Sequence, residues 1–371
     1  MYIRTLVSLA LLAITLTSLT SAETFSSPVN YDSAGFGPTS VALGDLNHDH
    51  HLDIVATNQN SATISVLLGN GDGTFQPAVT YSSGQSPFYV ILADFTRDGN
   101  LDAAVANRID SGAATVSIML GNGAGGFQSP VSYGPFLDAF SLSTAYVNND
   151  LKLDLIVSDT GSGALLLGNG DGTFQTPVPI GATNAVALEP LHLFGDFKTD
   201  LVSANNFGNS VDIFRGNGHG SFRQVGSRTV PTPPIALVVG DFNHDGIDDV
   251  ASADEAVNGE GGNVTVFLGT IWGSLVPVAS YSSGPESVSI ATGDFNLDGK
   301  LDIVTANQFF DGTIGILHNK GNGTFQPAVT FSSGGITPTS VRVGDLNGDG
   351  RPDLVVAHPN GDTISVLLNQ P

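Results

Sequence analysis

Short apolar runs separated by polar turns follow one another along almost the whole chain. One unit, residues 40–81, contains the runs SVALGD, IVATN, TISVLLGN and TFQPAVTY. Each run is about five to eight residues long, is rich in Val, Ile, Leu and Thr, and is bounded by Gly, Asn or Asp, as strands are. Helical spacing is nowhere sustained. The unit therefore predicts four β-strands.

This unit recurs, and its clearest marker is a nonapeptide after the first strand. Seven copies are present: DLNHDHHLD from Asp45, DFTRDGNLD from Asp94, YVNNDLKLD from Tyr146, HLFGDFKTD from His192, DFNHDGIDD from Asp241, DFNLDGKLD from Asp294 and DLNGDGRPD from Asp345. The copies start 46 to 53 residues apart, and a period near fifty is typical of propellers and other repeat arrays.

Length alone would suggest two or three domains of about 100–200 residues each. No linker, charge block or composition change divides 23–371, however. We therefore base the number of domains on the repeat rather than on the length. Near-continuous apolar strands suit sheets that are covered on both faces, as stacked blades are. We predict one all-β domain over 23–371, a seven-bladed β-propeller with four-stranded antiparallel blades.

The two ends of this domain predict how the ring closes. TFSSPVNY at 24–31 matches the fourth strand of the unit, TFQPAVTY, whereas the chain stops at TISVLLN, which matches the third strand. The last blade is thus short of one strand, and the N-terminal segment can supply it. We expect this strand to close the last blade and remove an exposed sheet edge.

The nonapeptide carries side-chain oxygens at its first, third, fifth and ninth positions, which is the chemistry of a calcium loop. Calcium takes about six to eight oxygens from carboxylates, amides, carbonyls and water. In the copy from Asp294, the carbonyl of Lys300 is a further predicted ligand, and Gly299 permits the bend. The pattern is similar to the first half of an EF-hand loop, but position twelve is Thr305 rather than Glu.

Five copies are predicted calcium sites, because they keep oxygen-bearing side chains at all four positions. Their ligands are Asp45, Asn47, Asp49 and Asp53; Asp94, Thr96, Asp98 and Asp102; Asp241, Asn243, Asp245 and Asp249; Asp294, Asn296, Asp298 and Asp302; and Asp345, Asn347, Asp349 and Asp353. Tyr146 and His192 open the other two copies, for which we favour a metal-free turn. Hard oxygen ligands select calcium over zinc or copper.

Composition and the N-terminus indicate where the protein works. Residues 1–22 carry one charge, Arg4, then the run LVSLALLAITL and the small residues Thr20-Ser21-Ala22, which predicts a secretory signal peptide. No later segment is long and apolar enough to cross a bilayer. There is no cysteine, so disulfides and thiolate chemistry are excluded. We expect a secreted, extracellular or cell-surface protein without a transmembrane segment.

Acidity excludes a nucleic-acid partner. The formal net charge is −23, and a phosphate-binding surface needs clustered Lys and Arg, which are few and scattered here. The first, fifth and ninth loop positions hold 19 of the 35 acidic residues. Most of the negative charge therefore sits where divalent cations would neutralise it.

The seven loops, the Gly-Asp pair that opens several of them (Gly44-Asp45, Gly240-Asp241, Gly293-Asp294, Gly344-Asp345) and the closing strand resemble the FG-GAP and VCBS repeat family. That family includes the seven-bladed propeller of integrin α-subunits. The resemblance covers nearly all of 24–371. It implies loops that join the first two strands of each blade and bind calcium structurally, in propellers that mostly serve adhesion or ligand recognition.

Function is expected on variable loops held by a rigid scaffold. The links after the second strands vary most; they include Arg108–Ala114, Phe207–Ser210, Glu255–Asn263 and Gln308–Gly312 with Phe309 and Phe310. A polar residue stands five positions after each last loop aspartate, namely Asn58, Asn107, Asp159, Asn205, Asp254, Asn307 and His358, and we favour strand-end capping over a ligand-facing ring.

No catalytic motif such as HExxH or GxSxG is present, so a familiar hydrolase is not expected. The leading hypothesis is a monomeric binding or adhesion module for a protein or cell-surface partner. A calcium-dependent carbohydrate-binding lectin is the alternative, although the single Trp, Trp272, disfavours a Trp-based sugar site in every blade. A polysaccharide-active enzyme is the weakest of the three hypotheses.

Overall fold

Seven four-stranded sheets form the blades of a propeller in this protein. The computed structural model describes residues 24–109, 113–255, 262–308 and 312–371. The predicted signal peptide, 1–22, lies outside these ranges. All strand pairing within them is antiparallel, and their one helical segment is a 3-10 turn at Pro359–Gly361. The all-β seven-bladed prediction is confirmed.

The strands run blade by blade, each from the centre of the ring outward. They begin with β1 (Thr24–Phe25) and β2 (Val29–Asp32), followed by β3 (Pro38–Gly44), β4 (Asp53–Asn58), β5 (Thr63–Leu67) and β6 (Val79–Ser82) in blade 1, and β7 (Pro87–Ala93), β8 (Asp102–Asn107), β9 (Ala114–Met119) and β10 (Val131–Phe136) in blade 2. Blade 3 has β11 (Leu142–Ala145), β12 (Asp154–Val157), β13 (Ala164–Leu166) and β14 (Val178–Pro179), and blade 4 has β15 (Ala185–Leu191), β16 (Asp200–Asn205), β17 (Ser210–Gly216) and β18 (Phe222–Thr229).

The remaining blades follow the same order. Blade 5 has β19 (Pro234–Gly240), β20 (Asp249–Asp254), β21 (Gly262–Gly269) and β22 (Leu275–Gly284), and blade 6 has β23 (Ser287–Gly293), β24 (Asp302–Asn307), β25 (Thr313–Leu317) and β26 (Val329–Ser332). Blade 7 has β27 (Ser340–Gly344), β28 (Asp353–His358) and β29 (Thr363–Leu367), and β30 (Asn369–Gln370) ends the chain.

The hydrophobic core is divided among the spaces between neighbouring blades. In the space between blades 7 and 1, for example, Val41 and Ile54 pack with Val355 and Ile364, and all four are fully buried. The second strand of a blade, such as Asp53–Asn58, is buried along its whole length. Both faces of each sheet are covered, which explains why these strands are continuously apolar rather than alternating.

Blade 7 is closed by the N-terminal segment, as predicted. Its strand order is β27, β28, β29 and β2, with Val29 opposite Val366. Beside it, β1 pairs with β30. The Phe25 ring packs edge-on against Phe331 at 5.3 Å and Phe295 at 6.1 Å between ring centroids. The ring is therefore joined by backbone pairing and by an aromatic anchor.

The propeller has two distinct ends. The innermost strands contact one another around the ring in the order β3, β7, β11, β15, β19, β23, β27 and back to β3. At one end, called the loop face, lie the nonapeptide loops between first and second strands and the turns between third and fourth strands. The other end, called the link face, carries the links between second and third strands and the connections between blades.

Deletion of 23–32 tests the closure. The variant leaves β29 without its outer partner and removes the Phe25 anchor, so we expect the melting temperature of the whole ring to fall by more than about 10 °C, since each kcal/mol is worth about 2–4 °C in a chain of this size.

Val29→Ala is the matched control, because this side chain is 52% exposed and its backbone pairing is kept. A synthetic peptide covering 23–32 should restore part of the lost stability. Calorimetric melts that coincide for the deletion variant and the full chain would contradict the closure.

Candidate functional site

The seven nonapeptide loops share one backbone conformation. Their fourth and sixth residues all have positive φ; at the sixth position the angle is 80–89° for the four glycines and 67°, 60° and 57° for His50, Leu151 and Phe197. A non-glycine residue in this region costs about 1–2 kcal/mol. The loops opening at Tyr146 and His192 therefore keep the fold of the others although their side chains differ.

The ninth-position aspartate is a structural residue in every blade. In blade 1, one carboxylate oxygen of Asp53 accepts the Leu46 N–H and the other accepts the Gly69 N–H, both at 2.8 Å. Every other blade has the same pair of bonds, one from the loop and one from a residue at or just after the end of the third strand, which in blade 7 is Asn369 of β30. The acceptors are Asp102, Asp154, Asp200, Asp249, Asp302 and Asp353.

Sequence reasoning treated five of these aspartates, those of the acidic loops, as calcium ligands and missed the structural role in all seven. The signal was present, because Asp154 and Asp200 persist in the two copies that lack an acidic first residue. An aspartate needed only for a metal has no reason to remain there. All seven are almost completely buried, and two charge-assisted bonds to backbone amides compensate for that burial.

Burial also changes how these carboxyls ionise. It raises the pKa of Asp102, Asp249 and Asp353 to about 6, while the two amide bonds lower it. The negative charges at the first and fifth loop positions raise the pKa further; for Asp102 these are Asp94 and Asp98. The three carboxylates of a loop therefore repel one another, and a bound divalent cation would offset this repulsion.

In the five predicted calcium loops, the side chains at the first, third and fifth positions, called the loop rim, place their oxygens around a common backbone turn. In blade 7, Asp345 accepts the N–H groups of Asp349 and Gly350 at 3.2 and 2.8 Å, and Asn347 accepts the Asp349 N–H at 3.0 Å. In blade 2, Thr96 donates its hydroxyl to Asp94 at 3.2 Å. Each oxygen that accepts one N–H keeps a second lone pair, so the donor set fits a hard cation.

No three side chains drawn only from His, Asp and Glu are placed to hold a metal ion in the part of the chain that the structure describes. The loop sets rely instead on two rim carboxylates with an amide or hydroxyl oxygen. In blade 6, the Lys300 ammonium lies 2.9 Å from Asp298 at the same rim.

In the His192 loop, two basic side chains supply the positive charge that a bound cation would supply in the acidic loops. Asp196, at the fifth position, lies 3.1 Å from the Arg215 guanidinium and 3.4 Å from the Lys198 ammonium. Arg215 also stacks on the Phe194 ring, 4.3 Å from its centroid. In the Tyr146 loop, the charge of Lys152 lowers the pKa of Asp154, against the larger effect of burial. The metal-free turn in these two copies stays a prediction.

Loop residues also join neighbouring blades. The second loop residue is held by its own ninth-position aspartate through its N–H, and its carbonyl accepts an N–H from a turn glycine of the next blade. Such bonds run from Gly73 to Leu346, Gly125 to Leu46, Gly172 to Phe95 and Gly323 to Phe242 at 3.0–3.2 Å. The loops therefore set the spacing of the blades.

The polar residues at the ends of the second strands are structural, as favoured. Six of the seven are buried, and Asn205 is partly buried. Asn107 donates to the hydroxyls of Thr115 and Ser117 on the adjacent strand at 3.2 and 2.8 Å, and Asp159 accepts the backbone N–H groups of Leu137, Asp138 and Gly161. They link the strands of a blade to the connection that precedes it.

A cavity of about 390 Å³ lies on the axis at the link face. Residues near the start of six innermost strands border it, and blade 3 contributes residues just before β11. The wall has aromatic rings from Phe88, Tyr89 and Phe140 and two charged side chains, Glu189 and Arg342. Phe207, from the link of blade 4, stands at its edge. Sequence reasoning missed this cavity, because its walls come from residues about fifty positions apart.

Some of the variable links lie partly outside the described residues, namely 110–112, 256–261 and 309–311, which include Phe309 and Phe310. The described parts of the link face carry four large exposed apolar side chains. These are Phe36 (64% exposed), Leu137 (68%), Phe207 (78%) and Ile336 (51%). They belong to three blade connections and one link, and Phe207 alone of the four borders the cavity.

Sequence comparison agrees with the geometry of the repeats. The FG-GAP-like repeat family matches residues 45–105, 94–157, 192–252, 241–305 and 294–356, each match beginning at a nonapeptide loop. The chain belongs to this family. No curated protein sequence matches it. FG-GAP propellers are typically non-catalytic and often extracellular, and the fold suggests a protein-binding module.

Two solved structures share the fold. BBS1N, crystallised in complex with ARL6DN, has a TM-score of 0.64 at 12% identity, covering 93% of this chain and 97% of BBS1N. A lectin from Agrocybe aegerita that recognises non-reducing terminal N-acetylglucosamine has a TM-score of 0.57 at 16% identity, covering 91% and 96%. Similar propellers thus include a member of a protein complex and a glycan-binding protein. None of the helices in the described ranges is long and apolar enough to span a membrane.

Asp154→Asn tests the structural role of the ninth position in a blade without a predicted metal. The new NH₂ group faces a backbone N–H and leaves it without an acceptor, so we expect a loss of about 1–3 kcal/mol in the free energy of unfolding. Urea denaturation measures this loss, with and without calcium. Asp150→Asn, at the exposed rim of the same loop, is the control, and an equally small effect for both variants would contradict the role.

Asp254 predicts a pH dependence of stability. Burial raises its pKa to about 6, although it accepts hydroxyl bonds from Ser252 and Thr265. The folded state holds this proton more tightly than the unfolded state. The resulting stability is complete below about pH 4 and is lost as the pH rises through about 6.

Asp254→Asn should therefore match the wild type at pH 4 and exceed it by about 1–3 kcal/mol at pH 7.5. An amide fits, because asparagine stands at the same position in blades 1, 2, 4 and 6. Chemical denaturation at the two pH values measures the difference. Asp72→Asn, which is exposed, should change little, and a variant no more stable than the wild type at pH 7.5 would refute the assignment.

Proposed function

We propose that this protein is a secreted, calcium-stabilised propeller that binds a protein or cell-surface partner through its link face. The observation that carries the proposal is the set of exposed apolar side chains Phe36, Leu137, Phe207 and Ile336 on the connections of the link face. Apolar groups clustered on one face of a soluble protein are typical of an interaction surface. The apolar run at 1–22 supports secretion.

The two faces suit different roles. On the loop face, near-identical loops and turns recur and their backbone groups are bonded to one another. On the link face, a backbone bond also recurs between a link and the preceding blade connection, as from Arg108 to Ser86 and from Gln308 to Glu286, but the side chains there differ from blade to blade. A partner that recognises one orientation of the ring finds distinctive chemistry on the link face, which is why recognition is assigned there.

Calcium would be held by the rim oxygens of the five acidic loops. The side chains at the first, third, fifth and ninth positions of each loop are the candidate ligands, together with the seventh carbonyl. When bound, calcium supplies positive charge that offsets the repulsion among three carboxylates. Its role is to stiffen the loops that separate the blades.

Metal removal tests this stabilising role. We expect excess chelator to lower the melting temperature, and calcium to raise it in a concentration-dependent way, because ligand that binds only the folded state stabilises it. Asp345→Ala should reduce the bound calcium from about five ions to four by isothermal titration calorimetry. Asp150→Ala is the control and should change neither quantity, and a melting temperature that is unaffected after verified metal removal would exclude structural calcium.

The partner face is tested by replacing all four exposed apolar residues, Phe36, Leu137, Phe207 and Ile336, by serine. We expect capture of the partner from native surroundings to fall at least tenfold, since apolar anchors dominate binding energy. A control replaces Val79, Val131, Val276 and Val329, which are similarly exposed on outer strands, by threonine. Equal capture by both variants would move recognition away from the link face.

A lectin is the second candidate, supported by the shared fold with the Agrocybe aegerita lectin and by Trp272. This side chain is 82% exposed in the turn between β21 and β22, and an exposed indole can stack on a sugar ring. Calcium-dependent binding to one glycan class on an array, abolished by Trp272→Ala, would favour the lectin over the protein-binding module.

A further inference from the structure

The central cavity contains two charged side chains at one repeat position. Glu189 and Arg342 each stand three residues before the start of a loop, where the other blades have Ala42, Ile91, Ser143, Val238 and Ala291. Equal repeat positions lie at the same depth along the axis. Blades 4 and 7 are separated by two blades on one side and three on the other, so the two side chains face each other across the cavity.

Arg342 is fixed in place but has no counterion. Its guanidinium donates to the Tyr89 hydroxyl and to the Val341 carbonyl, both at 2.8 Å, and lies over the Tyr89 ring. No carboxylate of the described residues comes within ion-pair distance of it. Two of its five N–H groups are used, and three remain for another acceptor.

The Glu189 carboxyl borders the same cavity, and no hydrogen bond from the described residues reaches it. Desolvation raises its pKa to about 8, against the lowering effect of the Arg342 charge. At neutral pH it is therefore mostly a neutral acid that can donate a hydrogen bond. The titratable side chains among the residues lining the cavity are Tyr89 on β7, Glu189 on β15 and Arg342 on β27; β11, β19 and β23 contribute none.

The rest of the wall is suited to an apolar body. Phe88 and Phe140 meet edge to face at 6.3 Å, and Ile235 and Ile290 line the opposite side. The guanidinium of Arg108 covers these two rings from outside and is already paired with Asp138 at 3.0 Å. A volume of about 390 Å³ lies in the range of small-molecule sites, about 300–1,000 Å³.

We propose that this cavity binds a monocarboxylate with an aromatic or aliphatic body, whose carboxylate is held by Arg342 and by a hydrogen bond from the Glu189 carboxyl. The ligand carboxylate balances the positive charge of Arg342, which has no ion-pair partner in the lining. The aromatic wall contacts the apolar body of the ligand. The inference is independent of calcium and of a partner on the link face, because no residue of the nonapeptide loops lines the cavity and, of the four exposed apolar side chains, only Phe207 borders it.

Calorimetry and methyl NMR of the full-length protein test the proposal with three matched probes. We expect 3-phenylpropionate to bind saturably and to shift the methyl signals of Ile235 and Ile290. The alcohol 3-phenylpropanol and the amine 3-phenylpropylamine should bind at least tenfold more weakly. Absence of saturable binding by the acid, or tighter binding by the amine, would overturn the assignment.

Two variants separate the roles of the charged groups. Arg342→Gln should weaken binding of the acid at least tenfold. Glu189→Gln keeps a neutral donor and should retain wild-type affinity within about threefold at pH 7. In the wild type, the affinity for the acid should fall above pH 8, approaching about tenfold per pH unit, because Glu189 loses the proton that it donates. In Glu189→Gln this fall should disappear.

Loss of binding in Glu189→Gln at pH 7, or an undiminished affinity in Arg342→Gln, would refute the proposed geometry. If Arg342→Gln does not fold, the comparison of acid, alcohol and amine on the wild-type protein still decides. A tripeptide ending in phenylalanine, tested with a free and an amidated C-terminus, then distinguishes a chain terminus from a free small acid as the source of the carboxylate.

Discussion

The double hydrogen bond of the ninth-position aspartate is the interaction on which the rest of this propeller depends. One buried carboxylate holds both the loop after the first strand and the turn after the third, so each blade has a fixed loop end. The second loop residue, held in this way, then offers its carbonyl to the next blade. A local polar contact thereby becomes a long-range constraint, because the same backbone link recurs at four of the junctions between neighbouring blades.

Much of this fold could be read from the sequence, because a repeat presents the same pattern seven times. The strand count and the loop positions follow from residues close together in the chain, and the closing strand follows from comparing the two ends of the chain with the repeat. The structural role of the ninth-position aspartate was not recognised, since carboxylates at alternate positions suggest metal first, although Asp154 and Asp200 keep that aspartate in loops without a predicted metal. The ion pair between Arg215 and Asp196 of the His192 loop could not be predicted from the local sequence. Arg215 lies in the third strand of the blade, nineteen residues from Asp196.

The axial cavity illustrates a different limit. Strand periodicity indicates which residues are apolar, but it does not indicate which of them meet across a ring. Glu189 and Arg342 break the pattern of their repeat position, and that departure is visible once the copies are aligned. What they form together depends on the order of blades around the axis, a property of the closed ring rather than of any blade. Deviations from a repeat are thus as informative as the repeat itself.

The meeting of β1 and β30 has a consequence for handling the molecule. The paired ends replace one of the turns between third and fourth strands, so the chain is topologically equivalent to one opened at any other such turn. Circular permutants cut at Gly71 or Gly170, with the original ends joined, should keep the same architecture. This junction lies on the loop face, at the opposite end of the propeller from the axial cavity. A molecule attached to a surface through either chain end should therefore present the opening of the cavity away from that surface.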